Sequence, residues 1–310
     1  MWSRRAFLQH GSLALAAVTC LESRAAQPRL GPLNLPIGLQ LYAVREDVAK
    51  DLPAALKAVA AIGYREVELA GAPKVPAAKL RALLQENGLT APSMHVGMSD
   101  MQTEQQSRID YAKAVGAEYL VISFPWTADS RFRKAPADSN ATLAAGMTLD
   151  DWKWNADQLN SIAAVARKSG IRCGYHNHNI EFRTYNGVTA YDELLRLTDP
   201  ALVTMEMDIG WVVAAGADPV SYLTKHADRI SLLHVKDVAK GAKITTDRTE
   251  TQTTEVGGGQ VDWRRLFAAI KPKQVRHYFV EQENFARPPL EAMKISFDYL
   301  NRLENATRAT

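Results

Sequence analysis

From about Leu35 onward the chain repeats one pattern: a short apolar run, then a segment of helical spacing that stops at a glycine. The runs are Ile37–Tyr42, Glu66–Leu69, Ala91–Val96, Tyr119–Phe124, Arg172–His176, Val203–Asp208, Ile230–Val235 and His277–Glu281. Leu52, Ala55, Leu56, Val59 and Ala60 share one helical face before Gly63, and Leu80, Leu83 and Leu84 do so before Gly88. Ile109, Ala112 and Val115 precede Gly116, and Leu159, Ile162, Val165 and Ala166 precede Gly170. A stripe at this spacing is one face of a helix, and a glycine just past it takes the left-handed terminus. A strand that reads apolar throughout is covered on both faces, as in a parallel sheet under helices. Eight such strands, at roughly 26–31 residues per unit, predict an α/β single domain, a parallel (β/α)8 TIM barrel. Two units carry insertions, Trp126–Asp150 and Ala239–Gly259, each following a strand and therefore at the end where barrel sites are built. The competing architecture, an open doubly wound sheet, calls for a Gly-rich phosphate loop after its first strand. Here that strand reads Gly38-Leu39-Gln40-Leu41-Tyr42.

The first 26 residues belong to a different design. Ser3-Arg4-Arg5-Ala6-Phe7-Leu8 is a charged start, Gly11 to Cys20 is an apolar stretch, and Ser23, Ala25 and Ala26 are small residues suited to cleavage. That layout is an export signal, and the arginine pair before Phe-Leu is of the twin-arginine type. The expectation is a signal over residues 1–26, a barrel over 27–310, and a periplasmic location. Removing Arg4, Arg5, Glu22 and Arg24 leaves a mature chain near +1 and a single cysteine, Cys173, so no intrachain disulfide can form. The whole chain is 46% apolar and 23% charged, which excludes a disordered polymer. It lacks a basic block for nucleic acid and an apolar run long enough to span a bilayer.

Polar residues collect at the strand ends. They are Glu66-Val67-Glu68, Met94-His95-Val96, Tyr175-His176-Asn177-His178, Glu206-Met207-Asp208, His234-Val235-Lys236-Asp237 and Glu281-Gln282-Glu283. Strand side chains alternate, so His176 with His178, His234 with Lys236, and Glu281 with Glu283 share faces that can point into the barrel mouth. Four of the seven histidines fall at such ends: His95, His176, His178 and His234. Buried imidazoles and carboxylates need partners, and a divalent cation satisfies the set. Mixed imidazole and carboxylate donors suit Mn2+, Co2+, Zn2+ or Fe2+, and carboxylate-rich sites also take Mg2+. His226 and His277 read as ordinary structural histidines. Trp126 and Trp211 are the expected aromatic pocket walls, Lys240–Gly259 reads as a mobile lid, an oligomer contact or a solvated loop, and Arg131, Arg133 and Lys134 read as a solvent-facing patch.

Three segments then carry a family resemblance. Gly174-Tyr175-His176-Asn177-His178-Asn179-Ile180-Glu181-Phe182, Met205-Glu206-Met207-Asp208-Ile209-Gly210-Trp211 with Gly216-Ala217-Asp218-Pro219, and His234-Val235-Lys236-Asp237 resemble the xylose-isomerase-like barrels known as sugar phosphate isomerases/epimerases. Val256-Gly257-Gly258-Gly259-Gln260-Val261-Asp262-Trp263 resembles their seventh loop. The resemblance implies one divalent ion held from strands five to eight, here by His176, Asp208, His234 and Glu281. The fifth strand usually offers glutamate in epimerases; here the position is His176, with His178 as the other candidate. Glu281, His178, Lys236 and Glu68 are the candidate catalytic groups, and His95, Trp211, Trp126 and Glu283 the candidate substrate contacts; of these, Glu68 and His95 match pocket-lining positions of the family. The implied reaction is isomerisation or epimerisation of a sugar. A proton next to a carbonyl leaves, and the ion stabilises the resulting enediolate. Two alternatives stay open. One is a lyase that expels the aglycone from a 3-keto-glycoside through the same intermediate; the other is an exported carbohydrate-binding barrel without catalysis. The fold's nuclease version needs a histidine where Trp211 stands and another after the fourth strand, where the chain reads Phe124-Pro125-Trp126. The expected partner is a small carbohydrate, with no nucleic acid and no membrane span; an oligomer is possible.

Overall fold

The computed structural model describes residues 31–127 and 146–307, with side chains to Leu303. The expected export signal and the Arg131, Arg133 and Lys134 patch lie outside the described residues, as does most of the first insertion. Eight parallel strands close into a barrel in simple sequential order. They are β1 (Gly38–Gln40), β2 (Glu66–Leu69), β3 (Thr90–Gly97), β4 (Tyr119–Phe124), β5 (Arg172–His176), β6 (Val203–Asp208), β7 (Ile230–Val235) and β8 (His277–Val280). The single-domain (β/α)8 expectation holds. The first strand is shorter than Ile37–Tyr42 because the Gln40 side chain accepts from the Tyr42 amide and turns the chain into a short 3-10 helix, Leu41–Val44. No helix among the described residues is long and apolar enough to cross a membrane.

The helices form where the stripes predict. Asp51 caps Leu52–Ile62 by accepting from the Ala54 amide, and Ala55, Leu56 and Val59 are buried beneath it. Thr148 and Asp151 close a capping box at the start of Leu149–Lys168, whose buried face includes Leu159, Ile162 and Ala166. Inside the barrel, chemistry changes with depth. At the N-terminal end Glu66 meets His277 at 2.8 Å, which confirms a structural part for that histidine. Tyr119, Val121 and Leu232 form an apolar plug above it. Over the plug, at the C-terminal end, lie Gln40, Glu68, Ser93, His95, His176, Glu206, Asp208 and His234, all buried. The plug gives the polar layer a dry floor.

The second insertion is strapped down rather than loose. Asp237–Val238 pairs with Thr253–Thr254 as a two-stranded ribbon. The fully buried Asp237 carboxylate accepts from the amides of Val238, Gly257, Gly259 and Val261 and from Trp263 Nε1, all between 2.9 and 3.2 Å. Gly257 has φ +86°, and a Cβ on Gly259 would collide with Asp237, so this run tolerates only glycine where the chain wraps the carboxylate. Asn179 donates to the Thr245 carbonyl at 2.9 Å, tying the segment to the end of β5. Replacing Asp237 with alanine strands several buried donors at once. We expect Asp237→Ala to lose about 3 kcal/mol or more of unfolding free energy in a urea titration. A loss under about 1 kcal/mol would show that the loop is not organised through this carboxylate.

Candidate metal centre

Pairing register brings the ligand-type residues level. In β5 and β6 His176 stands opposite Glu206, and in β6 and β7 Asp208 stands opposite His234. A register shift between Met205 and Glu206 adjusts β6 to both neighbours. Glu281 follows the last residue of β8, its amide bonded to the Val235 carbonyl. His176, Asp208, His234 and Glu281 each offer a donor atom within 4.8 Å of the other three. His234 Nδ1 lies 2.8 Å from Glu281 Oε2 and 3.7 Å from Asp208 Oδ2, and His176 Nε2 lies 4.0 Å from Asp208 Oδ2. This is the quartet expected from the sequence. His178, the other candidate at the fifth strand, belongs to no such group among the described residues.

The quartet fits a divalent cation on its own chemistry. Burial and neighbouring cations push His176 well below the usual imidazole range, which keeps it neutral with a lone pair to give. Burial raises Asp208 to about 6 against the pull of Lys236, whose ammonium pairs with its Oδ2 at 3.0 Å outside hydrogen-bond geometry. His176 Nδ1 and Glu206 Oε1 are likewise buried without a hydrogen-bond partner. Orphaned buried polar atoms are rare in folded proteins. Two imidazoles and two carboxylates facing one another here form a donor set that suits Mn2+, Zn2+, Co2+ or Fe2+.

A second layer lies beneath. The other ring nitrogens of the same two histidines face Glu206 Oε2, His176 Nδ1 at 3.3 Å and His234 Nε2 at 3.2 Å. His234 Nε2 also meets Glu68 Oε2 at 2.6 Å. Glu68 in turn accepts from Gln40 Nε2 at 2.8 Å and Ser93 Oγ at 2.5 Å. His95 Nε2 reaches both carboxylates, Glu68 at 2.9 Å and Glu206 at 2.6 Å. Against the burial penalty they raise His95 to about 9, so it carries a proton between them. Burial and the adjacent Glu68 lift Glu206 to about 7. Glu206 was absent from the expected site, although it sits two residues before Asp208 and so on the same strand face.

Lys236 is fully buried over the Trp211 ring, 4.4 Å from its centroid. Its ammonium stands 3.0 Å from Asp208, 3.0 Å from Glu281 and 3.1 Å from Glu283. Gly210 makes room for it, since a Cβ there would meet Lys236 Cγ at 2.6 Å. The three carboxylates outweigh desolvation and keep the lysine charged.

A cavity of about 300 Å³ opens above, lined by His95, His176, His178, Glu281 and Glu283 with Tyr42, Asp100, Ser123, Phe124 and Arg248 among others. His95 and Glu283 are thus in contact with the expected substrate space. Four expected residues lie away from the cavity lining. Glu68 is entirely buried under His234. Lys236 is enclosed by the three carboxylates. Trp211 packs behind His178 and Lys236, and Trp126 is half-buried against the core with its backbone held by Asn155; neither lines the cavity. His178 does line it. Burial holds its imidazole neutral, its Nδ1 is unpartnered, and Glu181 accepts from its backbone amide at 2.9 Å. Arg248, from the 3-10 turn Arg248–Glu250, was also missed; it approaches Glu283 only at 3.6 Å.

Known proteins share this arrangement of chain. Residues 56–303 match the family described as the xylose isomerase-like TIM barrel. An inosose dehydratase of Geobacillus kaustophilus is 25% identical over 273 residues, 80% of this chain and 86% of that protein. Further inosose dehydratases match over stretches that cover 63% to 65% of their own length. A solved sugar phosphate isomerase/epimerase from Parabacteroides distasonis is 29% identical with a TM-score of 0.66, covering 85% of this chain and 96% of that one. The IolI protein, solved with a bound zinc atom, shares the fold at 14% identity and a TM-score of 0.61, over 88% of this chain and 96% of its own. With four fifths of its length inside the matched region, the chain belongs to the xylose isomerase-like TIM barrel family.

Proposed function

We propose that this chain is a divalent-cation-dependent carbohydrate lyase that removes the proton next to a carbonyl and expels a β-substituent. One observation carries the reading: His176, Asp208, His234 and Glu281 converge within 4.8 Å at the floor of a cavity that also exposes a neutral, unpartnered imidazole, His178. The inosose dehydratases among its relatives support elimination from a keto-polyol, and the IolI protein, solved with a bound zinc atom, supports a cation in this fold.

When bound, the cation supplies Lewis acidity toward the carbonyl oxygen and a neighbouring hydroxyl. The chain's own residues do the rest. Neutral His178 takes the proton from the carbon beside the carbonyl. The freed electron pair becomes a C=C bond as the β C–O bond breaks, and the proton on His178 passes to the departing oxygen. Glu283 accepts from substrate hydroxyls and Arg248, 3.6 Å from it, donates to them. Glu281, engaged by Lys236 and His234, serves as a ligand, and Lys236 keeps Asp208 and Glu281 in the charged form that a cation requires. Export rests on the twin-arginine-type start alone; we propose it on that basis, and a periplasmic enzyme would meet keto-glycosides, whose aglycone is the β-substituent. A second reading, isomerisation or epimerisation, is favoured by the Parabacteroides likeness and shares the first proton transfer.

Solvent deuterium exchange next to the carbonyl, across keto-polyols, ketoses and 3-keto-glycosides, tests all three readings. Elimination yields a dehydrated product or a free aglycone, and the second reading yields an isomer. No exchange by the cation-loaded protein would leave a binding barrel. Asp208→Ala and His234→Ala should each lose bound cation and exchange together, and a chelator should abolish exchange in the wild type. Full activity after cation loss in either variant would contradict the proposal. His178→Gln should keep the cation by elemental analysis while turnover falls about 100-fold or more.

A further inference from the structure

The two buried carboxylates under the quartet do not line the cavity, yet both lie against its imidazoles. Glu68 Oε2 receives His234 Nε2 at 2.6 Å, and the opposite nitrogen, Nδ1, faces Glu281 and Asp208. Glu206 Oε2 stands 3.2 Å from His234 Nε2 and 3.3 Å from His176 Nδ1, which has no hydrogen-bond partner, and the opposite nitrogen of His176, Nε2, faces Asp208. A carboxylate that takes one ring N–H of a histidine fixes which nitrogen keeps its lone pair and raises that nitrogen's basicity. We propose that Glu68, through its bond to His234, and Glu206, through its charge beside both imidazoles, are positioning residues of the ion site, and that His95 clasps the pair. The proposal rests on the cation reading above.

The geometry also offers a rival. His95, His176, Glu206 and His234 hold donor atoms within 4.8 Å of one another, so a second cation would have candidates here. The surroundings favour hydrogen bonding instead. Both oxygens of Glu68 already accept, from Ser93, Gln40 and His234. His95 lies between the two carboxylates at 2.9 and 2.6 Å, as a shared donor does. The lower carboxylates thus act on the ion through the imidazoles.

The test is calorimetric titration of the chelator-treated full chain with Mn2+ and Zn2+, with elemental analysis of the loaded protein. The wild type should bind one ion per chain. Glu206→Gln and Glu68→Gln should still bind one ion, with affinity about 10–100-fold weaker. Glu206→Ala should bind no better than Glu206→Gln. A merely structural role would lower the unfolding midpoint of the ion-free protein and leave the affinity of the folded fraction unmoved. We expect the reverse, with the Glu206→Gln midpoint within about 4 °C of wild type. Two ions in the wild type falling to one in Glu206→Gln would overturn the assignment in favour of a second cation site. Unchanged affinity in both glutamine variants would overturn it while the cation reading stands. A wild type that binds no ion would remove both.

Discussion

Burying charge is costly unless each charge meets its opposite. The C-terminal end of this barrel buries Glu68, Glu206, Asp208 and Glu281 with Lys236 and three imidazoles in contact. The lysine ammonium neutralises the outer edge and the protonated His95 the inner edge. Between them the quartet keeps acceptor atoms without hydrogen-bond partners. The fold tolerates this because the strands are short, parallel and locked in register, and because Tyr119, Val121 and Leu232 exclude water from below. The site is therefore a consequence of the barrel's closure: no single strand could hold two such groups without its neighbours.

Much of this was legible in the sequence because the relevant periods are local. A helical stripe ending at glycine needs only ten residues to declare itself, and eight repeats of strand and helix leave few architectures. The quartet was legible for the same reason, since each member falls at a strand end in a recognisable segment. Strand alternation placed His234 with Lys236 and Glu281 with Glu283 on common faces, and the structure gathers both carboxylates of the latter pair around the lysine.

What escaped depends on distance through space. Glu206 shares a face with Asp208, so its direction was readable, but its meaning comes from His95, 111 residues earlier in the chain. Glu68 looked like an available base because a sequence does not say how deep a strand residue sits. One pleat separates a carboxylate under His234 from a group in the cavity. The tryptophans misled in the same way: Trp211 offers its flat face to Lys236 instead of to a sugar. Arg248 lies in an insertion with no periodicity, and only the Asp237 knot, the Asn179 bridge and the ribbon to Thr253–Thr254 bring its turn to the cavity wall.

Depth then separates two kinds of constraint. The lower layer, Glu68, Ser93, His95 and Glu206, is carried by strand residues whose neighbours are also strands. The cavity wall draws on segments beyond the strands: Tyr42 from the turn after β1, Asp100 after β3, His178 after β5, Arg248 from the insertion and Glu283 after β8. Those segments can change length or side chain while the strand register that aligns His176, Asp208 and His234 stays fixed. The candidate ion site and the cavity wall are thereby held by different parts of the chain. That division lets family members with a common barrel differ in what they act upon.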